Sequence, residues 1–323
     1  MLDASDVLEA AHRIRSHVRR TPMLDIGEGK TPLWLKCEFM QHTGSFKARG
    51  AFNRILTALE RGELDSAVGI VAASGGNAGL AHAYAALRLG VPATVFVPET
   101  APRVKLERLA RFGAHVRPVG TEYAHAFAAA TDFVEETGAL FCHAYDQQEI
   151  VAGAGTVAQE ILEDDPSVDT IIVAVGGGGL LAGVLAAAGR ARVVGVEPES
   201  IPTLNAALTQ GRPVDVDVSG IAADSLGARR VGNICFEIAT RVGVSSRLVA
   251  DRDIVAARAR LWHEYRIAAE PGAATAYASI TAGAYVPAPE ERVAVVVCGA
   301  NTDPASLAAG SAHTGDTPLP AGA

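Results

Sequence analysis

A chain of 323 residues with 20% charged and 49% hydrophobic side chains is long enough for one large or two medium domains, and too apolar for a disordered or fibrous protein. A formal net charge of −8 excludes the concentrated basic face that grips nucleic acid regardless of sequence, and leaves small-molecule chemistry as the expectation. The four cysteines, Cys37, Cys142, Cys235 and Cys298, form no CxxC pair, so neither a zinc site nor a disulfide framework is predicted and a reducing cytoplasm is the expected compartment.

The chain opens with "MLDASDVLEAAHRIRSHVRRTP", which lacks the basic-then-apolar order of a secretion signal because Asp3, Asp6 and Glu9 interrupt it. It reads as an amphipathic helix with a capping box from Asp6 and Glu9, a face made by Val7, Ala11, Ile14 and Val18, and a stop at Thr21-Pro22. Beyond it, short runs rich in Val and Ile predict strands over 33–38, 69–74, 93–98, 114–119, 170–175, 192–197, 246–250 and 292–298. Most are apolar throughout rather than alternating, the pattern of parallel strands covered on both faces. Alanine-rich helical stretches separate them, such as 77–90, closed by Gly90 and Pro92. This βαβ rhythm predicts an α/β fold with open parallel sheets between layers of helices. The uncharged run from Ile171 to Gly189 is long enough for a membrane span, but the glycines at its middle resolve it as strand, loop and helix, and no membrane association is expected. After Pro304 the chain turns polar and rich in Gly and Pro, so 306–323 is expected to be a loose tail.

Four stretches can carry chemistry. In "TGSFKARG" (43–50), Lys47 alone reads as a solvated helix cation, but Gly44 permits an unusual backbone, Ser45 suits a helix cap and Phe46 offers an apolar wall. A lysine partly desolvated there loses pKa and becomes an amine able to form a Schiff base. "ASGGNAGLAHAYAA" (73–86) is either an ordinary capped strand-to-helix turn or a backbone anion site suited to a carboxylate. "VAVGGGGLLAG" (173–183) presents successive N–H groups before a helix and can cradle a phosphate; its spacing is not the dinucleotide fingerprint, and no P-loop occurs. "VVVCGANTD" (295–303) ends the last strong strand at Cys298, a small core hydrophobe when read alone. No H-E-x-x-H metal pair or G-x-S-x-G elbow is present, and His82, His125 and His143 read as packing or surface residues.

In this order the four stretches resemble the fold-type II pyridoxal-phosphate enzymes, specifically the serine/threonine dehydratases, over nearly the whole chain from Thr21-Pro22 to about Asn301. "SFKARGA", "SGGNAGLA", "GGGGLLAG" and "CGAN" match that family's lysine, substrate, phosphate and ring-nitrogen motifs, supported by "VPETAPRVKLERLARFGAHV", "SGIAADSLGARRVG" and "EPGAATA". The short liver-type L-serine dehydratase and catabolic threonine deaminase pattern is the nearest in wording. The resemblance implies a tryptophan synthase β-like, two-domain fold: a large cofactor-binding domain from 1–48 and 142–305, with a small α/β domain, 49–141, inserted into it. It implies that Lys47 holds pyridoxal 5'-phosphate as a Schiff base and removes the α-proton, with Phe46 lining the ring and Asn77 bonded to the ring hydroxyl. Gly176, Gly177, Gly178, Gly179 and Leu180 would take the phosphate, Ser74, Gly75, Asn77 and Ala78 the substrate carboxylate, and Cys298 the pyridine nitrogen.

The implied activity is dehydration and deamination of L-serine, L-threonine or a related β-hydroxy amino acid to a 2-oxo acid and ammonia, by a homodimer. Racemases of this family need a hydroxyl two residues before the asparagine, where this chain has Gly75, so racemisation is the lesser alternative, beside β-replacement and a non-catalytic binding role for the same fold. The family's cation site maps to Glu197, Ile201 and Thr203; the neutral oxygen of Thr203 in place of a carboxylate points to K⁺. The length left after Asn301 is too short for the regulatory domain of biosynthetic threonine dehydratases, so the short form is expected.

Overall fold

The computed structural model describes residues 2–27 and 31–310. Its strands are β1 (Met23–Asp25), β2 (Leu33–Lys36), β3 (Ile70–Ala73), β4 (Ala93–Val97), β5 (His115–Pro118), β6 (Leu140–Phe141), β7 (Thr170–Ala174), β8 (Arg192–Pro198), β9 (Ser245–Val249) and β10 (Val293–Val296). The helices that frame the site are α1 (Ala4–Ile14), α2 (Lys47–Glu60), α3 (Asn77–Leu89), α4 (Arg103–Arg111), α5 (Tyr123–Thr137), α6 (Gln148–Asp164), α7 (Gly179–Ala187), α8 (Thr203–Gln210) and α9 (Ala223–Leu226).

Six strands form one sheet in the order β1-β2-β10-β7-β8-β9, and four form a second in the order β5-β4-β3-β6. Every pairing is parallel except β1 with β2, where Leu24 faces Leu35 at the sheet edge. The uniformly apolar strands lie where both faces are covered: β4, β7 and β10 are buried along their whole length. β1 and β6 were not foreseen, because three and two residues are too few for an apolar run to stand out.

One large core surrounds the six-stranded sheet and includes Ile171, Val173, Leu181, Val194, Val295 and Val297. A second gathers Ala48, Phe52 and Ile55 of α2 with Ile70, Val95 and Val97 on one face of the four-stranded sheet, and Ala126 and Ala130 of α5 cover the other face. The chain therefore leaves the six-stranded sheet at α2 and returns to it after β6.

Four expectations are corrected. The capping box of α1 is Asp3 with Asp6, not Asp6 with Glu9: Asp3 Oδ1 accepts from the Ser5 and Asp6 amides, and Asp6 Oδ2 accepts from Asp3 N at 2.9 Å. The helix also ends at Ile14, short of Val18, where the His17 and Val18 amides both turn onto the Ile14 carbonyl. Ser45 does not cap α2; it pairs with Gly299 in an isolated bridge, and its buried hydroxyl has no partner among the described residues. At the other end, Ala305–Gly310 is helical where a loose tail was expected, and the rest of that tail lies outside the described residues.

Candidate active site

Strand ends build the site. β10 lies between β2 and β7, so the segment after β10 (Cys298 to Asn301) and the glycine loop after β7 emerge side by side at the carboxyl edge of the six-stranded sheet. The turn after β3, Ser74 to Gly76, emerges from the other sheet. Crevices at such edges are where open α/β sheets bind ligands.

Lys47 is the first residue of α2 and is held there by the β10 segment: the Phe46 amide donates to the Cys298 carbonyl at 3.1 Å, and Ala300 N donates to the Gly44 carbonyl at 2.9 Å. The Lys47 amine sits 5.0 Å from the Phe46 ring centroid and donates to the Ala144 carbonyl at 2.7 Å. Burial disfavours its charge and, despite opposing attraction from Cys298 and Glu270, pulls its pKa from 10.5 down to about 8. Tertiary burial produces this lowered value.

The glycine loop is walled from behind. A Cβ on Gly177 would meet the Tyr145 ring at 2.4 Å; one on Gly178, whose φ is +86°, would lie 2.5 Å from Cys235 Sγ. Side chains are thus excluded on the protein side, and the N–H groups from Gly176 to Leu180, at the start of α7, have no protein acceptor among the described residues. Largely buried, unpaired donors at a helix N-terminus suit a multiply charged anion. The segment His143–Asp146 ties this loop to the lysine: Ala144 receives the amine, Tyr145 backs the glycines, and Asp146 accepts from the amides of Asn233 and Ile234 at 3.0 Å each. Sequence reading missed this segment, since "HAYD" carries no motif.

At the β3 end, Ser74 Oγ accepts from Gly76 N at 3.4 Å, and α3 begins at Asn77 without a side-chain cap, which leaves its first amides available. Gly75 has no hydroxyl, and Ala78 is buried at the helix start. The Asn77 amide donates to Glu270 Oε1 at 2.8 Å and accepts from Asn301 Nδ2 at 2.7 Å. Glu270, only 4% exposed, was given no role from the sequence, although "EPGAATA" is one of the stretches that carry the resemblance. Burial pushes its carboxyl up to about 7 against the opposing bonds from Asn77 and the Asn301 amide. Gly299 admits it, because a Cβ there would fall 2.3 Å from Glu270 Oε1. The Cys298 thiol is buried and its pKa is pushed well above the ordinary thiol value, first by burial and then by Glu270.

Glu197 meets Thr203, whose backbone N–H in turn donates to the Ile201 carbonyl. Glu197 Oε1 accepts from Leu204 N at 2.7 Å and Thr203 Oγ1 at 3.2 Å, and Oε2 from Asn205 N at 2.9 Å and Ser246 Oγ at 3.1 Å. Burial raises the Glu197 carboxyl to about 7 in spite of these bonds. Thr203 also donates to the Gly176 carbonyl at 2.6 Å, linking this cluster to the glycine loop. Among the described residues no group of three or more His, Cys, Asp or Glu side chains is placed to hold a metal.

The histidines divide. His143 accepts the amides of Tyr145 and Asp146, whereas His82 is buried, and burial, then Lys47, brings its pKa down to about 3 against an opposing contact from the Ala78 backbone. Among the described residues no helix is long and apolar enough to cross a membrane.

A profile described as "pyridoxal-phosphate dependent enzyme" matches residues 14–299. An L-threonine ammonia-lyase of Thermotoga maritima is 33% identical over 94% of this chain and 76% of its own length. A phenylserine dehydratase of Ralstonia pickettii is 34% identical over 95% of each chain. Among solved structures, maize serine racemase superposes with a TM-score of 0.87 at 29% identity, covering 96% of this chain and 97% of the other.

Proposed function

The chain belongs to the pyridoxal-phosphate dependent enzyme family, in its fold-type II serine/threonine dehydratase branch, and from that premise we propose that it eliminates water and ammonia from L-serine, L-threonine or a related β-hydroxy amino acid. The observation that carries this reading is that the 143–146 segment joins Lys47, whose pKa burial lowers to about 8, to a largely buried row of backbone donors without a protein acceptor among the described residues.

The residues fit the cofactor. The Gly176–Leu180 amides offer the donors that a phosphate needs, and the walls behind Gly177 and Gly178 leave only the solvent side open to it. Lys47 would be the tether, Phe46 a ring wall, Asn77 the partner of the ring hydroxyl and Cys298 that of the ring nitrogen. Bound there, pyridoxal phosphate supplies an electron sink for the pair left when a proton leaves the substrate α-carbon.

The turn of Ser74, Gly75, Asn77 and Ala78 holds the substrate carboxylate on backbone donors at the start of α3. Lys47 Nζ takes the α-proton and returns one as the β-hydroxyl departs as water. The enamine released tautomerises and is hydrolysed in water to a 2-oxo acid and ammonia. Cys298 biases the outcome: a thiol whose pKa is driven up by burial cannot charge the ring nitrogen as an acid would, so the sink is weak and rapid loss of the β-substituent is favoured over other fates of the α-carbon. Gly75 has no side-chain hydroxyl to return a proton from the face opposite Lys47, which disfavours racemisation.

The substrate is a free amino acid rather than a nucleic acid or a membrane component, and the working form is a cytoplasmic homodimer. K⁺ at Glu197, Ile201 and Thr203 completes the reading; replacing K⁺ by a bulky organic cation should lower activity. The deciding experiment is 2-oxo acid release from a panel of β-hydroxy amino acids. Pyruvate or 2-oxobutyrate from L-serine or L-threonine supports the proposal; inversion of L-serine outrunning pyruvate release, or capture of an added thiol, would replace it.

A further inference from the structure

Arg108 stands on α4, beside the four-stranded sheet, yet its guanidinium reaches across to the segment that follows β10, where Nη2 donates to Asn301 Oδ1. Asn301 donates in turn through Nδ2 to the Thr43 carbonyl at 2.8 Å and to Asn77 Oδ1 at 2.7 Å. Asn77 donates through Nδ2 to Glu270 Oε1 at 2.8 Å, and Glu270 Oε2 accepts from Asn301 N at 3.2 Å. The side-chain bonds therefore run one way, from Arg108 through Asn301 and Asn77 to Glu270.

A primary amide keeps its shape when turned end for end, so only its partners decide which end is the donor. Arginine has donors and no acceptor, and a backbone carbonyl accepts and never donates. Between Arg108 and the Thr43 carbonyl, Asn301 has a single workable direction. That direction obliges Asn77 to turn its oxygen toward Asn301 and its NH₂ toward Glu270, with the second N–H left for a ligand. Arg108 is half-buried and makes no ion pair with a carboxylate among the described residues, so its donors are not diverted from this task. Three residues earlier on the same helix face, Lys105 pairs with Asp224 of α9, a second contact across the crevice that touches none of these amides.

We propose that Arg108 is a positioning residue: by holding Asn301 in one direction it makes Asn77 present an N–H, and not a carbonyl oxygen, to the hydroxyl of the bound ring. The inference rests on the pyridoxal-phosphate reading above. Its consequence is electrostatic: a donor stabilises the ionised ring oxygen, whereas a turned amide would set lone pair against lone pair and disfavour it.

The test is an absorbance titration of the bound cofactor against pH in the holoenzyme, with kcat and KM measured alongside, for Arg108→Met, Arg108→Lys and Lys105→Met. In Arg108→Met the titration midpoint should move by about one pH unit and kcat should fall about tenfold with KM nearly unchanged, the equivalent of one misdirected hydrogen bond. Arg108→Lys keeps a donor-only cation and should titrate as the wild type, and Lys105→Met should also leave the spectrum unmoved. A wild-type titration in Arg108→Met overturns the proposal, as does a rise in KM alone, which would make Arg108 a substrate counter-ion. An equal shift in Lys105→Met overturns it too, by making closure of the crevice the cause. If wild-type protein takes up no pyridoxal phosphate, the functional reading fails first and this inference falls with it, which differs from a holoenzyme whose variant is spectrally silent.

Discussion

Lys47 and Arg49 leave the same turn of α2, two residues apart and so on different sides of it, and meet opposite company. Arg49 is fully buried and saturated: its guanidinium donates to Glu38 at 2.8 Å through Nε and Nη2, to Glu160 at 2.7 and 2.8 Å, and to Thr156 at 3.1 Å. Lys36, also buried, adds its ammonium to the same Glu160 at 2.7 Å. Burial opposes the Arg49 charge, but Glu38 and Glu160 together hold its pKa above the ordinary arginine value. Lys47 has one neutral carbonyl and two acids, Glu270 and Cys298, whose own pKa values burial has raised. A cation so supplied is stable without ligand, while one so starved is ready to give up its proton.

The contrast breaks most visibly by exchange of effects. Lys47→Ala should abolish the imine absorbance and lower 2-oxo acid release by at least about 10³, because tether and base are one group, while shifting unfolding free energy by no more than about 1 kcal/mol. Arg49→Met should do the reverse in urea titrations of cofactor-free protein, losing about 3–5 kcal/mol because Glu38 is left as a buried charge without its cation and Glu160 keeps only Lys36. A Lys47 variant that unfolds, or an Arg49 variant that does not, would dissolve the distinction.

The starved side also has a pH signature. Folding raises the Glu270 carboxyl from 4.5 to about 7, so its contribution to stability is fully present below 4.5 and lost as pH rises through about 7, on the order of 3 kcal/mol. Glu197, raised to about 7 in the same way, acts in the same window. In cofactor-free protein Glu270→Gln should therefore flatten about half of the fall in urea midpoint across that range. The lysine moves kinetics instead. Because the neutral amine is the nucleophile and its pKa is about 8, cofactor uptake should rise about tenfold per pH unit up to that point and level off, whereas an ordinary lysine would keep gaining toward 10.5.

The smallest change probes the face opposite the lysine. Among the described residues a Cβ at Gly75 meets Val97 alone, Cγ1 at 3.4 Å and Cβ at 4.0 Å, both ordinary contacts, so the serine Cβ of Gly75→Ser fits there. The hydroxyl it adds should let a minor flow of D-serine appear beside pyruvate, read by chiral chromatography. No D-serine at all would mean that something other than the missing donor sends the reaction to elimination.

Much of this was legible in the chain. The uniformly apolar strands declared a covered parallel sheet because covering both faces leaves no position for polar residues. The glycine loop declared itself because backbone donors need side chains out of the way. Glu270, Arg108 and the 143–146 segment were hidden for a common reason: each has an ordinary local role, as a residue before a helix, a helix-surface cation or a loop, and only long-range contact changes it. Cys298 was named, but the burial that raises its pKa was not readable from its neighbours in sequence.

The amino-acid sequence by itself thus determined the βαβ order through local periodicity, and through the resemblance of its motifs it pointed to the family and to Lys47, Asn77 and the glycine loop. Only the tertiary structure decided that Lys47 loses its proton early while Arg49 keeps its own. That difference lies in what reaches each cation: Glu38 and Glu160, 11 and 111 residues away along the chain, hold Arg49 charged, whereas Lys47 has only Glu270 and Cys298, whose own pKa values burial has raised.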